Sequence, residues 1–305
     1  MDAAIEAHGL VRHFGSVPAV DGISLYVPRG SVYGFLGPNG SGKTTTIRLL
    51  LGLLRPDRGS ITLLGGSPRD ASCLAQVGAI VERPAFYPYL SAHENLRLFA
   101  TLAGMPSAVG STAADRALGV VGLSAVAGRK VGGFSTGMKQ RLAVALTLLR
   151  DPTLVILDEP TNGLDPAGVV DVRALIGQLA RSGRTVFLST HVLTEVEQLC
   201  DRVAILQRGR LVAEGLTSEL LEQGQRLAIA FDTGEEAGRA SRVLADAGLE
   251  AEAAVDRENT LLVTPGRLGS SAVNRLLAGN DLYPAELVLR RASLESVFLE
   301  LTEGV

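Results

Sequence analysis

Gly37-Pro38-Asn39-Gly40-Ser41-Gly42-Lys43-Thr44-Thr45 decides how this chain is read. An apolar run, Val32 to Leu36, leads into it, and a periodic stretch through Ile47, Leu50 and Leu51 follows. Strand, glycine-rich turn and helix, with G-x-x-x-x-G-K-[ST] spacing, form a phosphate-binding P-loop. Gly40 and Gly42 let the backbone turn its N–H groups inward, a concavity that suits anionic oxygens. The helix beginning there adds unpaired N–H donors and the positive end of its dipole. Lys43 is placed to reach β- and γ-phosphates, and the Thr44 hydroxyl to bind Mg²⁺. Lys stands only at positions 43, 130 and 139 among 29 basic residues, the rest being Arg. A chain that otherwise uses Arg keeps Lys here because a planar guanidinium cannot replace a compact ammonium inside a backbone cradle.

The remaining chain supplies the strands and turns that such a loop needs. Leu154 to Leu157 is a continuous apolar run of strand length, fit for the centre of a parallel sheet. It ends in Asp158-Glu159, two carboxylates at the carboxyl edge where open α/β sheets bind ligands. Thr161 to Pro166 is a turn, followed by a helix from Ala167 to about Ala180. Thr185 to Thr190 is the next buried strand, with His191 just past its end as a candidate γ-phosphate sensor. Gly132 to Arg141 is a second glycine-rich turn feeding a helix, hence a second candidate anion site. Ala4 to Leu10 and Ile23 to Val27 alternate as strands around a turn at His13 to Ser16. Phe14 beside that turn is either core or a platform for a purine ring. From Phe86 to about Gly128 the pattern is helical, with Ser91 and Glu94 as a capping box and a second helix over 115–123. Beyond Gly215 come a short helix and two βαβ-like units, which suggest a small α+β accessory domain of ferredoxin-like character.

Composition narrows the partners. A chain of 305 residues accommodates a large domain and a small one. A net charge of −3 leaves no electrostatic footprint for nucleic acid. Cys73 and Cys200 have no metal spacing and suggest a reducing compartment. Met1-Asp2-Ala3-Ala4 has neither a basic nor an apolar leader pattern and no run approaches roughly 20 apolar residues, so no signal peptide and a soluble protein are expected.

Taken together, the motifs resemble the nucleotide-binding subunit of ABC transporters from about Ile5 to Gly215. Leu154 to Glu159 matches that family's Walker B motif, Asn162 to Asp165 its D-loop, and His191 its switch histidine. Phe134-Ser135-Thr136-Gly137-Met138 matches the signature usually written LSGGQ. The resemblance implies an α/β P-loop NTPase with a RecA-like parallel core, an antiparallel β subdomain and a helical signature subdomain over about 86–150. This nucleotide-binding domain spans 1–216, and the accessory domain 217–305. It further implies ATP and Mg²⁺ as cofactors, with the metal held by Thr44 and, through water, by Asp158. Glu159 would act on the attacking water, assisted by Lys43 and His191. Two copies of the chain would sandwich two ATP molecules, each P-loop facing Ser135, Thr136, Gly137 and Met138 of the other copy, with Asp165 as the D-loop residue. A polytopic membrane permease would dock near Arg83 to Tyr89 and hold the chain at the cytoplasmic face of the membrane. The stretch Ala292 to Thr302 is similar to the ending of daunorubicin-resistance ATPases, which export drugs, antibiotics or lipids. The alternative is a soluble member of the family acting on ribosomes or nucleic acid, though the double cassettes, basic linkers and long coiled coils of those members are missing.

One residue departs from the family. Where Gln is usual, after Ile80-Val81, this chain has Glu82, as in bacitracin-resistance and lantibiotic-immunity members. A carboxylate about 5 Å from a phosphate costs roughly 3 kcal/mol at an effective dielectric near 20, unless a cation lies between them. Glu82 is therefore expected to be a metal ligand. Glu82→Gln should then change the ATPase rate and its Mg²⁺ dependence, and an unchanged Mg²⁺ titration would refute the assignment.

Overall fold

The computed structural model describes residues 2–81, 85–223, 225–254, 257–264, 269–290 and 293–295. The chain divides into two compact units, Met1–Leu216 and Thr217–Val305.

The first unit opens with β1 (Ala3–Phe14) and β2 (Val17–Pro28), longer strands than the sequence pattern suggests. The alternation weakens beyond Leu10, but register shifts between Ala7 and Leu10 and between Arg12 and His13 let the two strands stay paired through the irregularity. β3 (Val32–Leu36) leads to α1 (Lys43–Leu50), and β4 (Arg58–Leu63) pairs antiparallel with β1. After α2 (Ala71–Leu74) and β5 (Val77–Ile80) come the helices α3 (Ala92–Leu102), α4 (Ser107–Val120) and α5 (Thr136–Thr147). α4 begins well before the expected Asp115. Apart from exposed Val109, its first two turns hold small residues, and Gly110 and Ala113 are buried there, Gly110 close against Ala100. The apolar periodicity that marks most helices is therefore faint. β6 (Leu154–Asp158), α6 (Pro166–Arg181), β7 (Thr185–Thr190), α7 (Leu193–Leu199), β8 (Arg202–Gln207) and β9 (Arg210–Leu216) complete the unit.

Two sheets result, a three-stranded antiparallel one, β2-β1-β4, and a six-stranded one, β5-β6-β7-β3-β8-β9. The second is parallel from β5 to β8, with β9 antiparallel at its edge. One face packs on α1 and the antiparallel sheet in a single core that includes Ile5, Leu10, Ile23, Tyr33, Phe35, Ile47, Ile156 and Phe187. At its centre Tyr33 stacks on Phe187 with centroids 5.6 Å apart, and Phe35 lies 5.3 Å from the same ring. The buried Tyr33 hydroxyl donates to Glu214 Oε1 at 2.6 Å; burial first, and Glu214 next, push its pKa upward. On the other face α7 comes so close that a Cβ on Gly34 would stand 2.9 Å from Cys200 Sγ.

The second unit runs α8 (Thr217–Gln223), β10 (Arg226–Ala230), α9 (Gly234–Asp246), β11 (Ala251–Ala253), β12 (Thr260–Val263), α10 (Gly269–Ala278) and β13 (Glu286–Arg290). Its strands form one antiparallel sheet in the order β11-β12-β10-β13. A β-α-β-β-α-β chain in this order is a split βαβ arrangement. Leu227, Ile229, Leu261 and Val263 face Leu244, Val273 and Leu277 in a core of its own. A helix expected over 294–301 lies almost wholly outside the described residues.

Truncating Phe187 removes the ring that joins Tyr33 to Phe35 across β3 and β7. Phe187→Ala should destabilise the first unit by about 3–5 kcal/mol, measured as a lower denaturant midpoint.

Candidate nucleotide site

The site lies where β3, β6 and β7 end side by side. Leu36 pairs with Thr190 and Asp158 with Ser189, so the P-loop, Glu159 and His191 all leave the sheet at one level. The interior of a strand buried on both faces leaves little room for charge, but its last residue and those just past it can carry it, and the parallel order brings three such ends together.

Backbone conformation shapes the P-loop. Gly40 and Gly42 have φ of 79° and 104°, values costly for any side chain. A Cβ on Gly42 would also fall 2.3 Å from the Ala19 carbonyl. Gly42 is the N-cap of α1, whose first regular bond runs from Thr46 N to Gly42 O at 2.9 Å. The N–H groups of Lys43, Thr44 and Thr45 precede that bond and point out of the helix start. Ser41 Oγ is buried without a hydrogen-bond partner among the described residues.

Lys43 is 5% exposed, and its Nζ donates to Gly37 O at 2.7 Å and Pro38 O at 3.1 Å. Glu159 Oε1 stands 3.5 Å from the same ammonium. Glu159 itself sits at φ 46°, a left-handed conformation that costs of order 1–3 kcal/mol for a residue with a side chain. Its N–H is held by Ser189, donating to the carbonyl at 3.1 Å and to Oγ at 3.0 Å. That turn carries the side chain out of β6 and over the P-loop lysine. His191 Nδ1 lies 3.3 Å from Glu159 Oε1, and Asn162 Nδ2 donates to Oε2 at 3.0 Å. One carboxylate thus meets a lysine, a histidine and an amide. Next to it, Thr44 Oγ1 donates to Asp158 Oδ2 at 2.8 Å, while Ser189 Oγ donates to Asp158 Oδ1.

The donor set suits a nucleoside triphosphate. The buried Lys43 amine, a helix start and an unpartnered buried hydroxyl surround the loop, and a carboxylate–histidine pair faces it. The donor set also suits Mg²⁺, which keeps several waters and takes one or two protein oxygens along with phosphate oxygens. Thr44 and Asp158, hydrogen-bonded to each other, are the residues that would hold it. No group of three or more His, Cys, Asp or Glu able to hold a metal occurs among the described residues.

Other expected residues stand apart from this cluster. Ser135 is the N-cap of α5, its Oγ accepting from Met138 N at 3.2 Å, and is exposed together with Thr136. Asp165 caps α6 by accepting from Gly168 N at 2.9 Å. The two helix starts adjoin: a Cβ on Gly137 would lie 3.9 Å from Gly168 Cα. Phe14 is 49% exposed rather than core, with the Arg12 guanidinium 5.2 Å above its ring. Asp57 fastens that strand end, accepting from His13 N at 2.7 Å and Arg12 Nη1 at 2.9 Å. The His13 N–H, ahead of the Arg12 charge, draws its carboxyl below the usual range. Glu82 and Arg83 lie outside the described residues. Of the aromatics expected at the permease contact, Phe86 packs edge-on against Phe99 at 6.1 Å, whereas Tyr87 and Tyr89 stay exposed. Buried Asn95 fastens this loop by accepting from Tyr87 N and donating to Tyr87 O, Leu90 O and Ser91 O.

Ser189 and Asn162 were not among the expected site residues. Ser189 is visible in sequence only as a hydroxyl inside an apolar strand. Asn162 is a common turn residue whose side chain acquires a role when the turn folds back on Glu159.

Fold and site define a P-loop nucleoside triphosphatase with a helical insertion. The ABC transporter family description matches residues 20–162. The chain is 37% identical over 308 residues to the bacitracin transport ATP-binding protein BcrA of Bacillus licheniformis, covering all of this chain and 99% of that one. It is 36% identical to the daunorubicin resistance ATP-binding protein DrrA3 of Streptomyces coeruleorubidus, over 99% and 96% of the two chains. The solved structure of cbiO1 from Clostridium perfringens, part of an ABC transporter complex, superposes with a TM-score of 0.67 at 26% identity, over 81% of this chain and 98% of that one. The chain belongs to the ABC transporter family as an ATP-binding, ATP-hydrolysing subunit. The ribosome and nucleic-acid alternative gains nothing from these relatives. No helix among the described residues is long and apolar enough to cross a membrane.

Gly42→Ala combines an unfavourable φ with a collision against Ala19 O. It should weaken ATP binding about tenfold to hundredfold, as expected for roughly 1–3 kcal/mol of strain at the cradle. Titration with a fluorescent ATP analogue measures this, with circular dichroism as the control for folding.

Proposed function

We propose that this chain is the motor of an exporter for a drug, antibiotic or lipid, hydrolysing ATP on behalf of a separate polytopic membrane subunit. The single observation that carries the motor reading is the convergence of Lys43, His191 and Asn162 on the Glu159 carboxylate. Phosphoryl transfer asks for positioning and charge neutralisation more than for covalent chemistry. Lys43 would bind the β- and γ-phosphates, giving up Glu159 as a partner in favour of the stronger anion. Glu159 would then orient or deprotonate the attacking water, with Asn162 fixing its second oxygen and His191 contacting the γ-phosphate. Thr44 and Asp158 would hold Mg²⁺, which neutralises phosphate charge when bound. Phe14 would take the adenine ring.

Two further features support the assembly. Ser135 to Met138 form an exposed helix start in which Ser135 is available as a donor and Gly137 lets a phosphate approach, which suits a second copy's ATP. Tyr87 and Tyr89 are exposed on a loop that Asn95 holds rigid, and this suits docking by a membrane subunit near Arg83 to Tyr89 at the cytoplasmic face. The export reading rests on the bacitracin and daunorubicin relatives and on their near-complete overlap with this chain.

Glu159→Gln should bind ATP while hydrolysing it about 10²–10⁴-fold more slowly, the usual contribution of a positioned general base. Tagged, expressed in its own host and purified with ATP from detergent-solubilised membranes, it should bring down a polytopic membrane protein in equal amount. Recovery of ribosomes or a soluble protein instead would overturn the exporter reading.

A further inference from the structure

Glu195 is a buried carboxylate that the hydrolytic residues do not use. It stands four residues after His191 on α7 and is 3% exposed. A single oxygen, Oε2, accepts from Thr161 Oγ1 at 2.9 Å and from Thr190 Oγ1 at 3.0 Å. Thr161 follows Glu159 by two residues, and Thr190 immediately precedes His191. Thr190 Oγ1 also accepts from Val192 N at 3.0 Å, so the turn is clasped on both sides of the histidine. Glu195, Glu159, Asn162 and His191 line one cavity of about 280 Å³.

Burying a carboxylate is costly and makes a poor general stabiliser, since an apolar residue of similar volume often serves as well. What it does supply is directional. Both hydroxyls converge on one oxygen, so either loop can shift only by breaking a bond and leaving a buried charge less satisfied. The loop from β6 carries Glu159 and Asn162, and the loop from β7 carries His191. The Glu195 carboxylate accepts from Thr161 of the first loop and from Thr190 at the base of the second, a link between them in addition to the direct Glu159–His191 contact.

We propose that Glu195 is a positioning residue for ATP hydrolysis, fixing the loop of Glu159 against the loop of His191 through the Thr161 and Thr190 hydroxyls. The inference rests on the reading of Glu159 and His191 as the hydrolytic pair. It requires that Glu195 act on turnover rather than on ATP affinity, because the P-loop is held separately by Gly42 and α1.

The test is steady-state ATPase kinetics of the full-length chain. Glu195→Leu should lower kcat about tenfold to hundredfold, the scale of an ångström misplacement of a reacting group, and leave KM for ATP nearly unchanged. Glu195→Gln keeps an acceptor oxygen and should recover most of the loss. The double variant Thr161→Val, Thr190→Val removes both donors with little change of shape, and should reproduce the kcat effect even if Glu195→Leu fails to fold. In that double variant, adding His191→Ala should cost much less than it does in the native chain, because the pair is already misaligned. Native kcat in the double threonine variant, or a His191→Ala penalty of undiminished size, would overturn the proposal while leaving the hydrolytic pair intact. Native turnover in both His191→Ala and Glu159→Gln would instead overturn the hydrolytic reading, and this inference with it.

Discussion

The Lys43 ammonium has to be buried and charged at once, and much of the first unit can be understood from that demand. An isolated ammonium taken out of water costs several kcal/mol even after relaxation. Two P-loop carbonyls and Glu159 offset that cost. The carbonyls are local, since Gly37 and Pro38 belong to the same turn. The carboxylate comes from more than a hundred residues further along the chain, which requires β6 to end beside β3. β7, between them in the sheet, brings Ser189 and His191 to the same edge. The architecture thus gives a buried cation an anion, one that phosphate would displace on the function proposed above. That is the property a triphosphate-hydrolysing cradle needs.

Strain is placed where it serves this arrangement. Glu159 takes a left-handed conformation and Gly42 an extreme one, while the strands leading to both are regular and buried on both faces. The packed sheet, with Phe187 between Tyr33 and Phe35, over-determines the strand ends, so the turns can depart from low-energy geometry. Ser189 supports this by holding the Glu159 N–H with both its carbonyl and its hydroxyl. Hydroxyls are the recurrent means of alignment at this edge. Thr44 and Ser189 orient Asp158, and Thr161 and Thr190 meet on Glu195. Short hydroxyl side chains fit within a β-rich edge and add direction without adding net charge.

The second unit follows simpler rules. Its sheet is antiparallel, its helices cover one face, and its core is aliphatic. The P-loop, Asp158, Glu159 and His191 all belong to the first unit.

By itself, the sequence determined the chemistry of the loop and the class of protein. Glycines at positions 40 and 42, with Lys43 and Thr44 after an apolar strand, are local requirements that spacing makes visible. The same holds for Asp158-Glu159 after a continuous buried run and for the motif order from Phe14 to His191. Periodicity was less informative where small residues replaced apolar ones, as in the first turns of α4, and where register shifts prolonged β1 and β2. The repeated strand–helix–strand pattern of the second unit was legible as an α+β arrangement of ferredoxin-like character, and its strands pair antiparallel. Only the tertiary structure decided that Glu159 is shared between Lys43, His191 and Asn162, that Phe14 is half-exposed beneath Arg12, and that Glu195 joins two loops. The contacts of Glu159 and Glu195 join residues far apart in the chain or on different elements. Such contacts have no period and no spacing, and they exist only once the sheet order has brought the strand ends together.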